Sequence, residues 1–125
     1  PATRRLRYSV AGHPPPRGKR CADGSLFQLN QAGGIPLGIL PDHAYDLAEV
    51  QLEVGDQAIC FTDGVNETFN AAHEMFGIER LGEAIGNCSL SAEGLLDDLL
   101  KHLNTFAAGR EVEDDRTILV ARVTG

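Results

Sequence analysis

Asp63 and Asp114 each stand at one end of a short apolar run. Asp63 follows Ala58-Ile59-Cys60-Phe61, within Thr62-Asp63-Gly64. Asp114 precedes Ile118-Leu119-Val120-Ala121, within Glu113-Asp114-Asp115-Arg116-Thr117. A short continuous apolar run between turn signals reads as a buried strand. In the first run the acid comes after the strand; in the second the acids come before it. Antiparallel pairing of the two strands would therefore bring Asp63 and Asp114 to one edge of a sheet. Converging carboxylates repel unless a proton or a cation lies between them, and hard oxygen ligands favour Mg²⁺ or Mn²⁺ over zinc. These residues suggest half of a divalent-cation site. The bland alternative is that Asp63-Gly64 is a turn ending a strand and that Glu111 to Asp115 is a solvated acidic turn before an edge strand. Spacing alone leaves both readings open.

The remaining elements must position these acids. Leu6 to Val10 alternates apolar and polar residues, as a strand with one buried face does. Residues 17–22 and 25–30 flank Asp23-Gly24, a two-residue hairpin signal. Residues 31–40, with Gly33-Gly34, Pro36 and Gly38, read as loop. Glu49 to Val54 alternates again, and the Gly55-Asp56 turn is expected to join it to the central strand as a second hairpin. A helical turn is expected at Asn66 to Asn70. Leu81, Ala84 and Ile85 fall at helical spacing before Gly86-Asn87. Ser91 suits the N-cap of a last helix, whose stripe is Leu95, Leu96, Leu99, Leu100, Leu103 and Phe106. The last strand is Arg116 to Val123. Strands, then two helices, then a returning strand make an α+β fold with an antiparallel sheet. Two sheets with helices outside is the preferred architecture.

With 125 residues, 42% of them apolar and 23% charged, the chain fits one ordinary globular domain. No apolar run approaches membrane-spanning length. Cys21, Cys60 and Cys88 are odd in number, lack C-x-x-C spacing and have no histidine at zinc-ligand spacing. A reducing, cytoplasmic setting is the simpler reading. The net charge of −7 hides an asymmetry: Arg4, Arg5, Arg7, Arg17, Lys19 and Arg20 occupy the first 22 residues, which hold no acid. Positive gatekeeping near a sheet edge accounts for this better than nucleic-acid binding, because no aromatics are interleaved for base stacking.

Taken in order, Ala11-Gly12-His13-Pro14-Pro15, Gly33-Gly34-Ile35-Pro36-Leu37-Gly38, Gly55-Asp56, Thr62-Asp63-Gly64-Val65-Asn66-Glu67, Phe76-Gly77 and Asp114-Asp115-Arg116-Thr117 give the chain a family likeness. It resembles, over nearly its whole length, the SpoIIE-like branch of bacterial metal-dependent (type 2C, PPM) serine/threonine protein phosphatases. The resemblance implies an α-β-β-α sandwich with two Mg²⁺ or Mn²⁺ ions between its sheets. It also implies hydrolysis of phosphoserine or phosphothreonine on a signalling protein such as an anti-sigma-factor antagonist, in stress or developmental signalling. Asp63 and Asp114 map to metal ligands, with Gly64 and Asp115 beside them, Asp115 orienting a ligand or a bound water. His13 stands where the wider superfamily often has an acid. It is either a proton donor near the site or, as preferred, a strand-end histidine bonded to backbone.

The departure from the family pattern is the absence of an upstream Gly-Asp-x-Ser-Gly motif, whose Asp bridges the metals. The resemblance thus implies a partial sandwich, the C-terminal part of a domain lacking its N-terminal strands and helix. Two carboxylates alone bind Mg²⁺ weakly, so the chain by itself is expected to bind metal poorly and to be a weak enzyme. Uncovered faces and edges favour a homodimer or strand exchange. The competing reading is a non-catalytic phosphatase-like module that binds a regulatory protein through its helix pair.

Overall fold

The computed structural model describes residues 3–111 and 113–125. In chain order it forms β1 (Arg5–Tyr8), β2 (Val10–Ala11), β3 (Arg17–Lys19), β4 (Leu26–Gln28), β5 (Gly33–Gly34), β6 (Ala48–Gln51) and β7 (Gln57–Phe61). These are followed by α1 (Asp63–Asn66), α2 (Gly77–Ala84), α3 (Ala92–Ala107) and β8 (Ile118–Arg122). A four-stranded antiparallel sheet in the order β4-β3-β7-β8 carries α2 and α3 on one face. Two further strand pairs, β1 with β6 and β2 with β5, stand apart from it.

Strand alternation makes the core. Ile59 and Phe61 of β7 point to the helices, where they pack with Leu81 and Ile85 and with the α3 stripe Leu95, Leu99 and Leu103. Ile118 and Val120 of β8 extend this face. Ser91 caps α3, its Oγ accepting the Gly94 N–H at 3.1 Å. Ala108 and Gly109 end the helix in left-handed conformation, as a helix C-terminus commonly does. On the opposite sheet face the register sets Cys60 beside Leu119 and Ala58 beside Ala121. Leu119 there is 58% exposed. The architecture is thus one helix layer on one main sheet, half of the two-sheet arrangement, and among the described residues no second helix layer covers the other face.

Several local expectations change. The strand at residues 6–10 divides into β1 and β2, and Gly33–Gly34, read as loop, pairs in parallel with β2. Gly34 packs so tightly under Tyr45 that a Cβ would lie 2.9 Å from the ring. The Asp23-Gly24 hairpin closes through a four-residue loop, Arg20 N–H donating to Ser25 O, with Asp23 accepting from both the backbone and the hydroxyl of Ser25. The expected β6–β7 hairpin does not form: β6 pairs with β1. Asp56 explains why. Its carboxylate is 2% exposed and accepts from Arg20 Nη1 at 2.5 Å, Glu53 N at 3.0 Å and Cys21 N at 3.2 Å. Gly55 N–H meanwhile donates to Val123 O, and Val123 N–H donates to Asp56 O. The turn at 53–56 is spent on β3 and the end of β8, and it carries the chain from one sheet to another.

The helical turn expected at residues 66–70 lies earlier, at Asp63–Asn66. Basic residues in and just before β1 face acids of the β6 strand and the turn after it: Arg5 and Arg7 with Glu49, Arg4 with Glu53. Cys21 and Cys88, which no spacing linked, form a disulfide. Among the described residues no helix is long and apolar enough to cross a membrane.

Candidate metal centre

The pairing the acids require is present. β7 and β8 run antiparallel with Phe61 opposite Ile118, so the chain leaves β7 where it enters β8. Asp63 is the first residue of α1, one residue beyond Thr62. Thr62 stays extended and does not use its hydroxyl as a helix cap. Instead Thr62 Oγ1 accepts the Thr117 N–H at 3.0 Å and donates to Asp115 O at 3.3 Å, while Thr62 N–H donates to Thr117 O at 3.1 Å. Arg116 Nε donates to Gly64 O at 3.2 Å. Segments 62–64 and 115–117 are therefore laced together through backbone groups.

Gly64 shows how close they come. It is buried, and a Cβ placed on it would lie 2.4 Å from Asp115 O and 3.2 Å from Asp114 O. Only a residue without a side chain allows this approach. Asp63, Asp114 and Asp115 are all exposed at this edge. Asp115 N–H donates to Asp114 Oδ1 at 2.8 Å, so the backbone of Asp115, not its carboxylate, orients Asp114. A cavity of about 120 Å³ opens beside Asp114, walled by Gly64, Glu67, Glu111, Glu113 and Arg116. Asp63 is not among its lining residues. Arg110 reaches across this region, with Nη1 donating to Asn70 O at 3.0 Å and Nη2 to Glu113 Oε1 at 2.6 Å. Glu67, Glu111, Glu113 and Asp114 make this edge strongly acidic.

The donors fit Mg²⁺ or Mn²⁺ in kind, being carboxylate oxygens on a backbone fixed without metal. They fall short in number. Among the described residues no group of three His, Cys, Asp or Glu side chains stands ready to hold an ion, and a near-octahedral ion needs more oxygens than Asp63 and Asp114 supply. His13 is exposed in the turn after β2, with Nδ1 2.9 Å from Pro14 O. Among the described residues no hydrogen bond joins it to either acid. Sequence reasoning missed Thr62, Arg116 and Thr117 as the residues that hold the acids. Their places beside Asp63 and Asp114 were the available signal.

Comparison with known proteins identifies the family and the fold. Residues 1–124 match the family model described as stage II sporulation protein E (SpoIIE). The chain is 35% identical over 120 residues to phosphoserine phosphatase RsbU of Bacillus subtilis, covering 92% of this chain and 34% of that protein. It therefore spans about a third of that relative's length. In fold it is similar to the SiaA-PP2C domain of Pseudomonas aeruginosa, with TM-score 0.72, 19% identity, and coverage of 96% of this chain and 47% of that one. It is also similar to the PP2C phosphatase domain of the cell fate determinant SpoIIE from Bacillus subtilis, solved with a fragment of its regulatory domain. There the TM-score is 0.71 and the identity 23%, covering 95% of this chain and 34% of that one.

Proposed function

The chain belongs to the stage II sporulation protein E family, and we propose that residues 1–125 are the C-terminal part of one metal-dependent protein serine/threonine phosphatase domain. The observation that carries this reading is the antiparallel pairing of β7 with β8, which brings the Asp63 and Asp114 segments into contact. Identity to a phosphoserine phosphatase supports the reaction class.

In this reading Asp63 and Asp114 hold Mg²⁺ or Mn²⁺ together with oxygens from the rest of the parent domain. Such ions, when bound, neutralise phosphoryl oxygens and activate a water for in-line attack. The chain's own residues supply the fixed frame. Thr62 and Thr117 set the separation of the two segments, Gly64 permits it, and the Asp115 N–H aims one oxygen of Asp114. His13, with its Nδ1 near a backbone carbonyl, is assigned no role in this reading. The substrate class is phosphoserine or phosphothreonine on a regulatory protein, an anti-sigma-factor antagonist by family likeness, in the cytoplasm. The Leu119 and Ala121 side of the sheet is the face that the rest of the sandwich covers, and a second copy covers it when that part is missing.

The test uses the full-length parent protein. Asp63→Asn and Asp114→Asn should each abolish Mn²⁺-dependent phosphate release from a phosphoserine peptide and weaken Mn²⁺ binding measured by calorimetry. Wild-type activity in either variant would refute its assignment as a ligand.

A further inference from the structure

The end of the sheet opposite the acids holds a second constellation. Lys19, Gln57 and Arg122 are register partners across β3, β7 and β8. Each donates to a carbonyl of the α2–α3 connection. Lys19 Nζ meets Gly86 O at 2.6 Å, and Gln57 Nε2 meets Asn87 O at 3.3 Å. Arg122 reaches Leu90 O at 2.6 Å and Cys88 O at 3.1 Å. This row is the noncovalent seat of the connection, and it is imperfect: Gln57 Oε1 is buried without a partner. Beside it the disulfide joins Cys88 of the same connection to Cys21, in the turn between β3 and β4, across a sequence separation of 67. Both cysteines are only partly buried, so a reductant can reach them.

We infer that Cys21–Cys88 is a redox-operated staple that locks the α2–α3 connection onto the sheet and sets the persistence of the fold without touching the acidic edge. The reductant is a dithiol. One of its thiolates attacks a sulfur of the pair, the S–S bond breaks, and the displaced sulfur takes a proton. The second thiol then displaces the mixed disulfide, leaving Cys21 and Cys88 as thiols and the reductant as its own disulfide. Phe61 lies four positions along β7 from the Gln57 row, roughly 13 Å along a strand, so opening the staple leaves the Thr62–Thr117 lacing intact. Cys60 is not a rival partner. It lies on the opposite sheet face beside Leu119, and burial pushes its thiol pKa up, which lowers its thiolate fraction. Closing it again takes a two-electron oxidant of the disulfide class, which accepts the electrons and leaves as a dithiol, so the fold is most durable where such an oxidant prevails.

The inference stands apart from the phosphatase reading, because its readout is stability. In the air-oxidised full-length protein, non-reducing peptide mapping should recover Cys21 and Cys88 in one linked pair that dithiothreitol separates. Reduction should lower the melting temperature by about 10 °C or more, given the long loop the bond closes. Cys88→Ser should melt at the reduced wild-type temperature with or without reductant, and Cys60→Ser should keep the wild-type difference. Recovery of Cys21 and Cys88 as free, alkylated thiols from the oxidised protein would overturn the inference. So would a wild-type melting temperature indifferent to reductant.

Discussion

Replacing Gly64 by alanine asks whether the two acid-bearing segments touch in solution. The added Cβ would sit 2.4 Å from Asp115 O, about 1 Å inside the ordinary range of a carbon–oxygen contact. The obstacle is backbone, with Asp115 C at 3.1 Å and Asp114 O at 3.2 Å behind it, so no side chain can rotate away. Overpacking of this kind costs about 1–3 kcal/mol. Pushing segment 114–116 outward also strains the Arg116–Gly64 and Thr62–Asp115 hydrogen bonds, worth about 1 kcal/mol each. Against this, alanine gains about 1 kcal/mol of helix propensity over glycine. The net expectation is a loss of roughly 2 kcal/mol, read in urea as a lower midpoint with unchanged slope. Gly82→Ala in α2 is the control. Its Cβ meets only Leu26 Cδ1, at 3.2 Å, on a side chain 59% exposed and free to move. It should be neutral or stabilising by up to about 1 kcal/mol. If Gly64→Ala proved as stable as Gly82→Ala, the segments would not be in contact, and the argument for a shared metal edge would fail.

Other outcomes follow from the same contacts. Asp56→Ala leaves the backbone N–H groups of Cys21 and Glu53 without their acceptor and Arg20 with Gln51 O but no counter-charge, and should lose about 3 kcal/mol in urea unfolding; a loss below about 1 kcal/mol would argue against its role in directing the 53–56 turn. Thr62→Val keeps the shape but removes the hydroxyl that accepts from Thr117 N–H, so amide exchange at Thr117 should quicken, and an unchanged rate would discount the lacing. Ser91→Ala removes the α3 cap and should cost about 1 kcal/mol, visible as a lower melting temperature. Because burial raises the Cys60 pKa, its alkylation at pH 8 should lag behind that of a free cysteine and accelerate as pH rises through the raised value; equal rates would contradict that burial.

The acids were legible because two signals coincided at each: an apolar run compact enough to be a strand, and a carboxylate at its mouth. Their juxtaposition needed only that the strands be neighbours, and β7 beside β8 is the pairing that buries Ile59, Phe61, Ile118 and Val120 on one face. Helix α3 was legible from its stripe and from Ser91 for the same reason: local preference and tertiary burial agree. The misreadings fall where a distant partner decides. The alternation of residues 49–54 and the Gly55-Asp56 turn look like half a hairpin, yet the Asp56 carboxylate is claimed by Arg20 and Cys21, more than thirty residues earlier. Gly33–Gly34 carries no strand signal because its pairing depends on the room Gly34 leaves beneath Tyr45. The Cys21–Cys88 bond has no spacing to betray it.

The residues that hold the candidate site were harder to see than those that compose it, and the physics explains the difference. A metal ligand must be a hard, ionised oxygen, so composition narrows the field to a few carboxylates. A positioning group need only bond a particular backbone atom, and Thr62, Arg116 and Thr117 do so with groups common on any surface. Their value lies in arrangement. Thr62 and Thr117 exchange two bonds around the Phe61–Ile118 end of the ladder, and Arg116 ties the next turn to Gly64. The edge is thereby built by the chain alone, so the cost of ordering the two acid-bearing segments falls on folding. The far end of the same strands is held differently, by a row of side-chain donors and one reducible bond. One sheet thus separates a fixed acidic edge from a seam whose strength depends on redox state, and a change at the seam alters how long the domain lasts and leaves the acids where they are.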